Sequence, residues 1–300
     1  MNKIIMDRPY DYIALKNAVK ELLEEYPFIH VETIGKAVSG KDIIAIKIGR
    51  ADEYVLYAGA FHGSEHITES LLLKFTEQLC FALKSGSSLS GLDMRRVMMG
   101  RGLIIVPCVN PDGVEISLHG PSVSGYMANK VAALCLNNHK KWNANMRGVD
   151  INHNFDAGWQ SLHELEQKSG IYGPAMTRYG GHKPTSEPET KAITDLCDTY
   201  PIRHALAFHS QGEVIYSGFD NITVPRMQKM AEIMSSVSGY ALDNPSGLAV
   251  GGGFKDWFIK KYRRPAFTVE VGLGENPLPS EDIAKIYNDL CEMLVLCLAM

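Results

Sequence analysis

Two histidines and a glutamate in this chain of 300 residues have the side-chain types of a catalytic zinc site. His62 and Glu65 are three residues apart and follow an apolar run, Val55 to Phe61. His209 closes a second apolar run far along the chain. Two imidazoles and one carboxylate are the protein ligands of many catalytic zinc ions, with the fourth position left to water.

The elements that must bring these residues together are those of an α/β protein. Apolar strands at 55–60, 103–107, 205–208 and 266–271 alternate with helical patterns at 10–26, 67–83, 186–199, 225–238, 254–261 and from about 280. A hairpin is expected at 31–48, and a capping box at Ser186 to Glu189. The pattern predicts one domain over residues 1–300, with a mixed central sheet and helices on both faces. In such sheets ligands bind beyond the carboxyl ends of the strands, where His62 and His209 stand.

Composition excludes several classes of function. Apolar residues make up 45% and charged residues 21% of the chain, as in soluble globular proteins. A net charge of −4 argues against nucleic-acid binding, and no apolar run is long enough to span a membrane. The six cysteines form no Cys-x-x-Cys pair and the first nine residues lack a secretory apolar core. We therefore expect reduced thiols and a cytoplasmic protein without nucleic-acid or membrane partners.

Five short segments follow one another in a specific order: Gly59–Glu65, Val109–Gly113, Arg147–Asn152, Ala207–Ser210 and Phe267–Gly272. In their types and separations these segments resemble the motifs of the zinc carboxypeptidase family, the metallopeptidases related to pancreatic carboxypeptidase A. The resemblance covers the chain from about Tyr10 to its end. It implies an enzyme with the zinc carboxypeptidase-like α/β/α fold.

The resemblance implies one Zn²⁺ per chain, bound by His62, Glu65 and His209. Zinc in such a site lowers the pKa of a bound water from about 15.7 to about 7. Asp150 matches the family residue that orients the first histidine, here His62, through its second ring nitrogen. The histidines without motif support, among them His163, are expected to be surface or satisfied core residues.

Two further residues are assigned catalytic roles through the same resemblance. Glu270, the one charged residue of its apolar strand, matches the general base that takes a proton from water and passes it to the leaving amine. Arg147 matches the arginine that faces the oxyanion of the tetrahedral intermediate.

The expected substrate-binding residues depart from the pancreatic enzymes. Asn152 matches an asparagine that holds a substrate carboxylate. The next residue is His153 in place of an arginine that clamps the same carboxylate, and an imidazole cannot form the bidentate fork of a guanidinium. The specificity pocket offers Lys255, which could pair with a carboxylate on the substrate's side chain.

Several segments are more similar to one bacterial branch of the family, the γ-D-glutamyl-L-diamino acid endopeptidases, which cut peptidoglycan stem peptides. They are Trp142–Asn145, Tyr179–Glu189, His209–Tyr216 and Gly274–Pro279. Diaminopimelate carries an extra carboxylate that suits Lys255. We therefore expect a peptide or muropeptide substrate, cut between γ-D-glutamate and meso-diaminopimelate or lysine.

Three other functions remain open at the level of sequence. One is a zinc carboxypeptidase that removes single C-terminal residues from peptides. Another is a catalytically silent zinc-binding module that recognises cell-wall peptides, which the presence of both Glu270 and Arg147 disfavours. The third is an aspartoacylase-like deacylase, but those proteins lack the segment Asn110 to Gly113.

Overall fold

An eight-stranded mixed sheet lies at the centre of the computed structural model, which describes residue 4 and residues 6–300. Our expectation about the first nine residues falls partly outside this range. The strands are β1 (His30–Lys36), β2 (Asp42–Ile48), β3 (Tyr54–Ala58), β4 (Gly102–Val106), β5 (Ile202–His209), β6 (Val214–Ser217), β7 (Ala241–Asp243) and β8 (Ala266–Glu270).

The order of the strands across the sheet is β1-β2-β4-β3-β5-β8-β6-β7. The four central strands β4, β3, β5 and β8 are parallel to one another. β1 pairs with β2, β2 with β4 and β6 with β8 in antiparallel fashion. The carboxyl ends of the four parallel strands therefore meet at one edge of the sheet, where a site assembled from distant residues can form.

Ten α-helices are assigned in the described residues. They are α1 (Tyr12–Glu25), α2 (Ile67–Ser85), α3 (Met94–Val97), α4 (Pro111–His119), α5 (Ala128–Cys135), α6 (Trp159–Lys168), α7 (Pro188–Thr199), α8 (Met227–Ser238), α9 (Phe254–Tyr262) and α10 (Ile283–Ala299). The prediction of a single α/β domain with helices on both faces of a mixed sheet is confirmed.

Helix α10 packs on one face of the sheet, together with α2 and α8. The Tyr57 hydroxyl of β3 donates to the Leu294 carbonyl of α10 at 2.7 Å, and the His204 ring of β5 lies 2.8 Å from the Cys297 carbonyl. The opposite face of the central strands carries small side chains, such as Ala58, Ala205, Ala207, Ala266 and Thr268. Helix α9 packs against β5 and β8. Because both faces are covered, the central strands are buried almost throughout.

Some local expectations were incomplete or wrong. The helices α5 and α6 and the edge strand β7 were not among the elements predicted from the sequence. Ser186 does not cap α7: Glu187 occupies the cap position without a side-chain capping bond. The six cysteines are free thiols, five of them buried. Among the described residues, no helix combines the length and the apolar character that crossing a bilayer requires.

Candidate metal centre and active site

Three parallel strands end where the candidate site lies. β3 ends at Ala58, four residues before His62, while β5 ends at His209 and β8 at Glu270. His209 and Glu270 are register partners in adjacent strands. The expectation that these residues stand at the carboxyl edge of the sheet is thus confirmed.

The proposed metal ligands form one compact cluster. The Nδ1 atom of His62 lies 2.8 Å from Oε1 of Glu65, and Nδ1 of His209 lies 2.9 Å from the other carboxylate oxygen, Oε2. One ligand atom from each residue falls within 4.8 Å of the other two. Two imidazole nitrogens and a carboxylate oxygen converging in this way fit the donor set that zinc prefers, with bonds of about 2.0–2.2 Å.

The local backbone fixes the first two ligands. A short 3₁₀ turn, Gly63–Glu65, follows the loop after β3 and buries Glu65. A Cβ atom at Gly63 would lie 2.2 Å from the Gly113 carbonyl oxygen, so a side chain cannot fit at this position. The Asn110 amide, at the start of α4, donates to the carbonyl groups of Phe61 and Ala144 at 3.1 Å. Because several chain segments meet here, the ligand loop has little freedom to move.

Asp150 contacts the ring nitrogen of His62 that points away from Glu65, as the family resemblance led us to expect. Its Oδ1 atom lies 3.0 Å from Nε2 of His62, and Oδ2 accepts bonds from the Thr177 hydroxyl at 3.1 Å and the Arg178 amide at 2.7 Å. Burial alone would raise the pKa of Asp150, but the neighbouring imidazoles of His62 and His153 outweigh it and lower the pKa below its usual range. The carboxylate therefore stays charged and fixes the orientation of the His62 ring.

We expect Asp150→Asn to weaken zinc binding about 10- to 100-fold, because an amide is a poorer acceptor and meets the Arg178 amide with a donor. Competition with a chromophoric chelator measures the affinity. Asp195→Asn, an exposed change on α7 where Asp195 pairs with Lys191, is the matched control. An affinity of Asp150→Asn within twofold of the wild type would contradict the orienting role.

The two carboxylates at the site have opposite electrostatic surroundings. For Glu65, burial raises the pKa, but the charges and hydrogen bonds of His62 and His209 outweigh this and lower it to about 2. For Glu270, burial and the charge of Glu65 raise the pKa to about 8 in the ion-free protein, against a smaller lowering by His62. A dication bound to Glu65 favours the ionised form of Glu270. The two carboxylates therefore differ: the histidines favour the ionised form of Glu65, whereas the ionisation of Glu270 depends on the charges around it.

Arg147 lies on the loop between α5 and the turn that begins at Asp150. Its side chain is about half exposed, and Nη1 is 3.4 Å from Oε2 of the buried Glu187. Its backbone amide donates to the Asn145 side chain at 3.0 Å. Within the described part of the chain, its hydrogen bonds and ion pairs run to these residues instead of the three metal ligands, and its oxyanion role stays a prediction.

The expected substrate-binding residues already have protein partners. Oδ1 of Asn152 accepts a bond from the Phe254 amide at 3.0 Å, which leaves its NH₂ group free to donate elsewhere. Nδ1 of His153 lies 2.8 Å from Oε1 of Glu166. Nζ of Lys255 is 2.5 Å from Oδ1 of Asp256 and 2.6 Å from the Gly218 carbonyl oxygen.

Lys255 and Asp256 line a cavity of about 330 Å³ at the start of α9. Both side chains are buried, and Oδ2 of Asp256 accepts a bond from the Gly251 amide at 2.7 Å. The charge of Lys255 is thus partly balanced before any substrate arrives, which the sequence did not suggest. One ammonium proton remains for a ligand.

Comparison with known proteins decides the family. The family model described as "Zinc carboxypeptidase" matches residues 15–293. This chain belongs to the zinc carboxypeptidase family. It is 39% identical over 283 residues to gamma-D-glutamyl-L-diamino acid endopeptidase 1 of Lysinibacillus sphaericus, covering 93% of this chain and 70% of that protein.

Solved structures confirm the zinc carboxypeptidase fold. Carboxypeptidase A from Helicoverpa armigera aligns with a TM-score of 0.73 at 19% identity, over 98% of this chain and 74% of the other. The murein-tripeptide amidase MpaA from Escherichia coli O157 aligns with a TM-score of 0.53 at 19% identity, over 90% and 89% of the two chains. The protein is therefore a zinc metallopeptidase by family, and its His62, Glu65 and His209 cluster fits the metal.

Sequence reasoning missed Glu166, which turns out to be a hydrogen-bonding centre next to the zinc carboxypeptidase site. Its two carboxylate oxygens form hydrogen bonds with Nδ1 of His153 and Nδ1 of His163. The signal was present, since His163 and Glu166 have the same three-residue spacing as His62 and Glu65. We had expected His163 to be a surface or satisfied core residue because it matches no motif of the family.

Proposed function

We propose that this enzyme hydrolyses the bond between γ-D-glutamate and meso-diaminopimelate, or lysine, in soluble muropeptides. The observation that carries the proposal is the 39% identity, over 93% of this chain, to a protein named gamma-D-glutamyl-L-diamino acid endopeptidase. A substrate with more than one charged group would suit His153 and Lys255, the residues to which we assign substrate binding.

The reaction adds water across an amide bond, and Glu270 moves the proton. Zinc, when bound by His62, Glu65 and His209, supplies a Lewis acid that makes water nucleophilic at neutral pH. The Glu270 carboxylate accepts one proton as the water oxygen bonds to the glutamyl carbonyl carbon. The same proton then passes to the amine nitrogen as the carbon–nitrogen bond breaks. The products are a free γ-carboxylate and the free diamino acid.

Arg147 is our candidate for stabilising the oxyanion. Its guanidinium is half exposed and is held by Glu187 through a single contact at 3.4 Å, so a long side chain can turn towards substrate at small cost. A fixed cation aimed at developing negative charge is worth about 100- to 1000-fold in rate in comparable enzymes.

We assign four residues to the diamino acid that follows the scissile bond. Asn152 and His153 would hold its α-carboxylate, and the cavity at Lys255 and Asp256 would accept its distal end. The free ammonium proton of Lys255 can donate to a distal carboxylate, and Asp256 beside it can accept from the distal ammonium. Lysine offers the ammonium alone, so we infer that diaminopimelate is the better substrate.

The prediction of a cytoplasmic location is retained as part of this proposal. It rests on the six free thiols, five of them buried, in a chain whose cysteines make no disulfide. A cytoplasmic enzyme would meet its substrate as small muropeptides instead of as intact cell wall.

The tripeptide L-Ala-γ-D-Glu-meso-diaminopimelate tests the substrate directly. We expect release of free diaminopimelate, detected by mass spectrometry, and hydrolysis at least about tenfold slower for the lysine analogue, which lacks one charge-assisted bond. A peptide of ordinary α-linked residues is the control. If ordinary C-terminal residues are removed and the tripeptide is not cut, the protein is a general carboxypeptidase. If neither is cut by the zinc-loaded protein, a silent recognition module is the better account.

A further inference from the structure

Glu166 is a fully buried carboxylate, and both of its oxygens contact histidine rings. Oε1 lies 2.8 Å from Nδ1 of His153, and Oε2 lies 3.0 Å from Nδ1 of His163. Oε2 also accepts a bond from the Gly180 amide at 3.2 Å. Within residues 4 and 6–300, no lysine or arginine forms an ion pair with it. A buried carboxylate is costly unless paired, so these contacts hold the two rings firmly.

The surroundings of Glu166 are built to keep it in place. The His163 ring stacks on Trp159, with ring centres 4.6 Å apart and planes at 10°. The Trp159 indole donates to the Gly180 carbonyl at 2.9 Å. A Cβ atom at Gly180 would lie 2.6 Å from the His153 carbonyl oxygen and 3.0 Å from Oε1 of Glu166, so the backbones approach too closely for a side chain. Helix α6 is thereby fixed against the turn that carries His153.

That turn connects the metal cluster to the substrate-binding residues. Asp150 directly precedes this 3₁₀ turn and contacts the metal ligand His62. The turn itself contains Asn152 and His153. Asn152 has its amide oxygen held by protein and its NH₂ group free. His153 has Nδ1 held by Glu166, and in the described chain Nε2 has no hydrogen-bond partner and does not belong to the buried unsatisfied atoms. Two consecutive residues thus each keep one polar atom for a ligand.

We propose that Glu166 is a positioning residue that fixes the His153 ring so that Nε2, together with the Asn152 amide, binds the free α-carboxylate of the residue following the scissile bond. This inference rests on the proposed function, and it narrows the substrate class to peptides that end at that residue. The imidazole takes the place of an arginine clamp, and a buried glutamate fixes its orientation.

The chemistry favours a carboxylate at Nε2. With carboxylates at both ring nitrogens, one from Glu166 and one from substrate, the imidazolium form donates two charge-assisted bonds. A neutral ring with its proton held at Nδ1 leaves Nε2 as an acceptor, which repels a carboxylate. Replacing Glu166 with glutamine removes the carboxylate that stabilises an imidazolium, so a bond from Nε2 to the substrate carboxylate loses its charge assistance. Converting the α-carboxylate of the substrate to an amide should therefore lower kcat/KM in the wild type and lower it much less in Glu166→Gln.

The test compares L-Ala-γ-D-Glu-meso-diaminopimelate with the same peptide carrying an α-carboxamide. Wild type, Glu166→Gln, Glu166→Asp and the control Glu164→Gln are assayed as zinc-loaded full-length enzymes. Glu164 is exposed on the same helix, where it accepts a bond from Gln160. We expect Glu166→Gln to reduce the carboxylate-to-carboxamide ratio of kcat/KM by about 10- to 100-fold, mainly through KM. The ratio for Glu166→Asp should lie between those of the wild type and Glu166→Gln, and the ratio for Glu164→Gln should equal that of the wild type.

A purely structural role for Glu166 predicts a different outcome. Glu166→Gln would then lower stability, or lower kcat equally for both peptides, and leave the carboxylate-to-carboxamide ratio of kcat/KM within twofold of the wild type. That result overturns the proposal. A wild type that does not prefer the carboxylate peptide overturns it as well. If Glu166→Gln does not fold, Glu166→Asp decides by the same ratio.

A binding measurement separates this inference from the proposed function. If the wild type cuts neither peptide, the substrate proposal fails, and ring ¹⁵N NMR with free meso-diaminopimelate tests the clamp alone. The His153 signals, assigned through His153→Gln, should shift in the wild type and not in Glu166→Gln. Absence of a shift in the wild type, or an equal shift in both proteins, rejects the clamp.

Discussion

Replacing Glu270 with glutamine should lower kcat by about 100- to 10,000-fold, the range typical of a lost general base. Glutamine has the same shape but cannot accept a proton from water at neutral pH. Glu270 stands at the end of β8 as the register partner of the ligand His209, and burial together with Glu65 raises its pKa to about 8 in the ion-free protein. A bound dication favours the ionised form of Glu270, which is the form that accepts a proton from water.

Steady-state hydrolysis of the muropeptide measures this loss, and the zinc content of each sample is determined in parallel. Glu275→Gln is the matched control, because Glu275 is largely exposed and forms an ion pair with Lys141 at 3.1 Å. We expect Glu270→Gln to keep one zinc per chain. Activity within tenfold of the wild type would remove Glu270 from the role of base.

Removing the divalent ion with a chelator should reduce activity by at least about 1000-fold, since a Lewis acid supplies several kcal/mol of transition-state stabilisation. Adding zinc should restore activity. The ion-free protein should remain folded, because the ligands are then joined by hydrogen bonds between His62, His209 and Glu65. Zinc at 1000 times its dissociation constant should add about 4 kcal/mol to the free energy of unfolding, seen as a higher Tm.

A second cluster of possible ligands provides the control for the metal assignment. Asp11, Glu115 and His119 also lie close enough together to bind an ion, but they are only partly buried or exposed. We expect His209→Gln to lose bound zinc and activity and His119→Gln to keep both. Equimolar zinc in His209→Gln, measured by elemental analysis, would show that the ion is bound elsewhere.

The sequence by itself was enough to predict which residues form the candidate metal cluster and that Glu270 lies next to it. His62 and Glu65 are joined by a short turn, so their distance is set locally. His209 and Glu270 each end an apolar run, and parallel strands place such ends at one edge. These features can be predicted from the sequence because they depend only on the spacing of residues and on the position of each residue within its own strand or turn.

Helix α6 illustrates why part of the fold could not be predicted. Its buried stripe is Trp159, Leu162 and Glu166. A carboxylate in this stripe interrupts the apolar periodicity that identifies a helix. Its burial is possible only because the rings of His153 and His163 come to it, one from another segment of the chain.

The partners of the charged side chains were decided by the tertiary structure. Lys255 pairs with Asp256 and with a carbonyl 37 residues away, and Arg147 contacts Glu187. Residue types and spacing determined which side chains could do chemistry. Which atoms are already bonded, and which remain for substrate, depends on contacts between segments far apart in the chain, and those exist only once the sheet and its helices have packed.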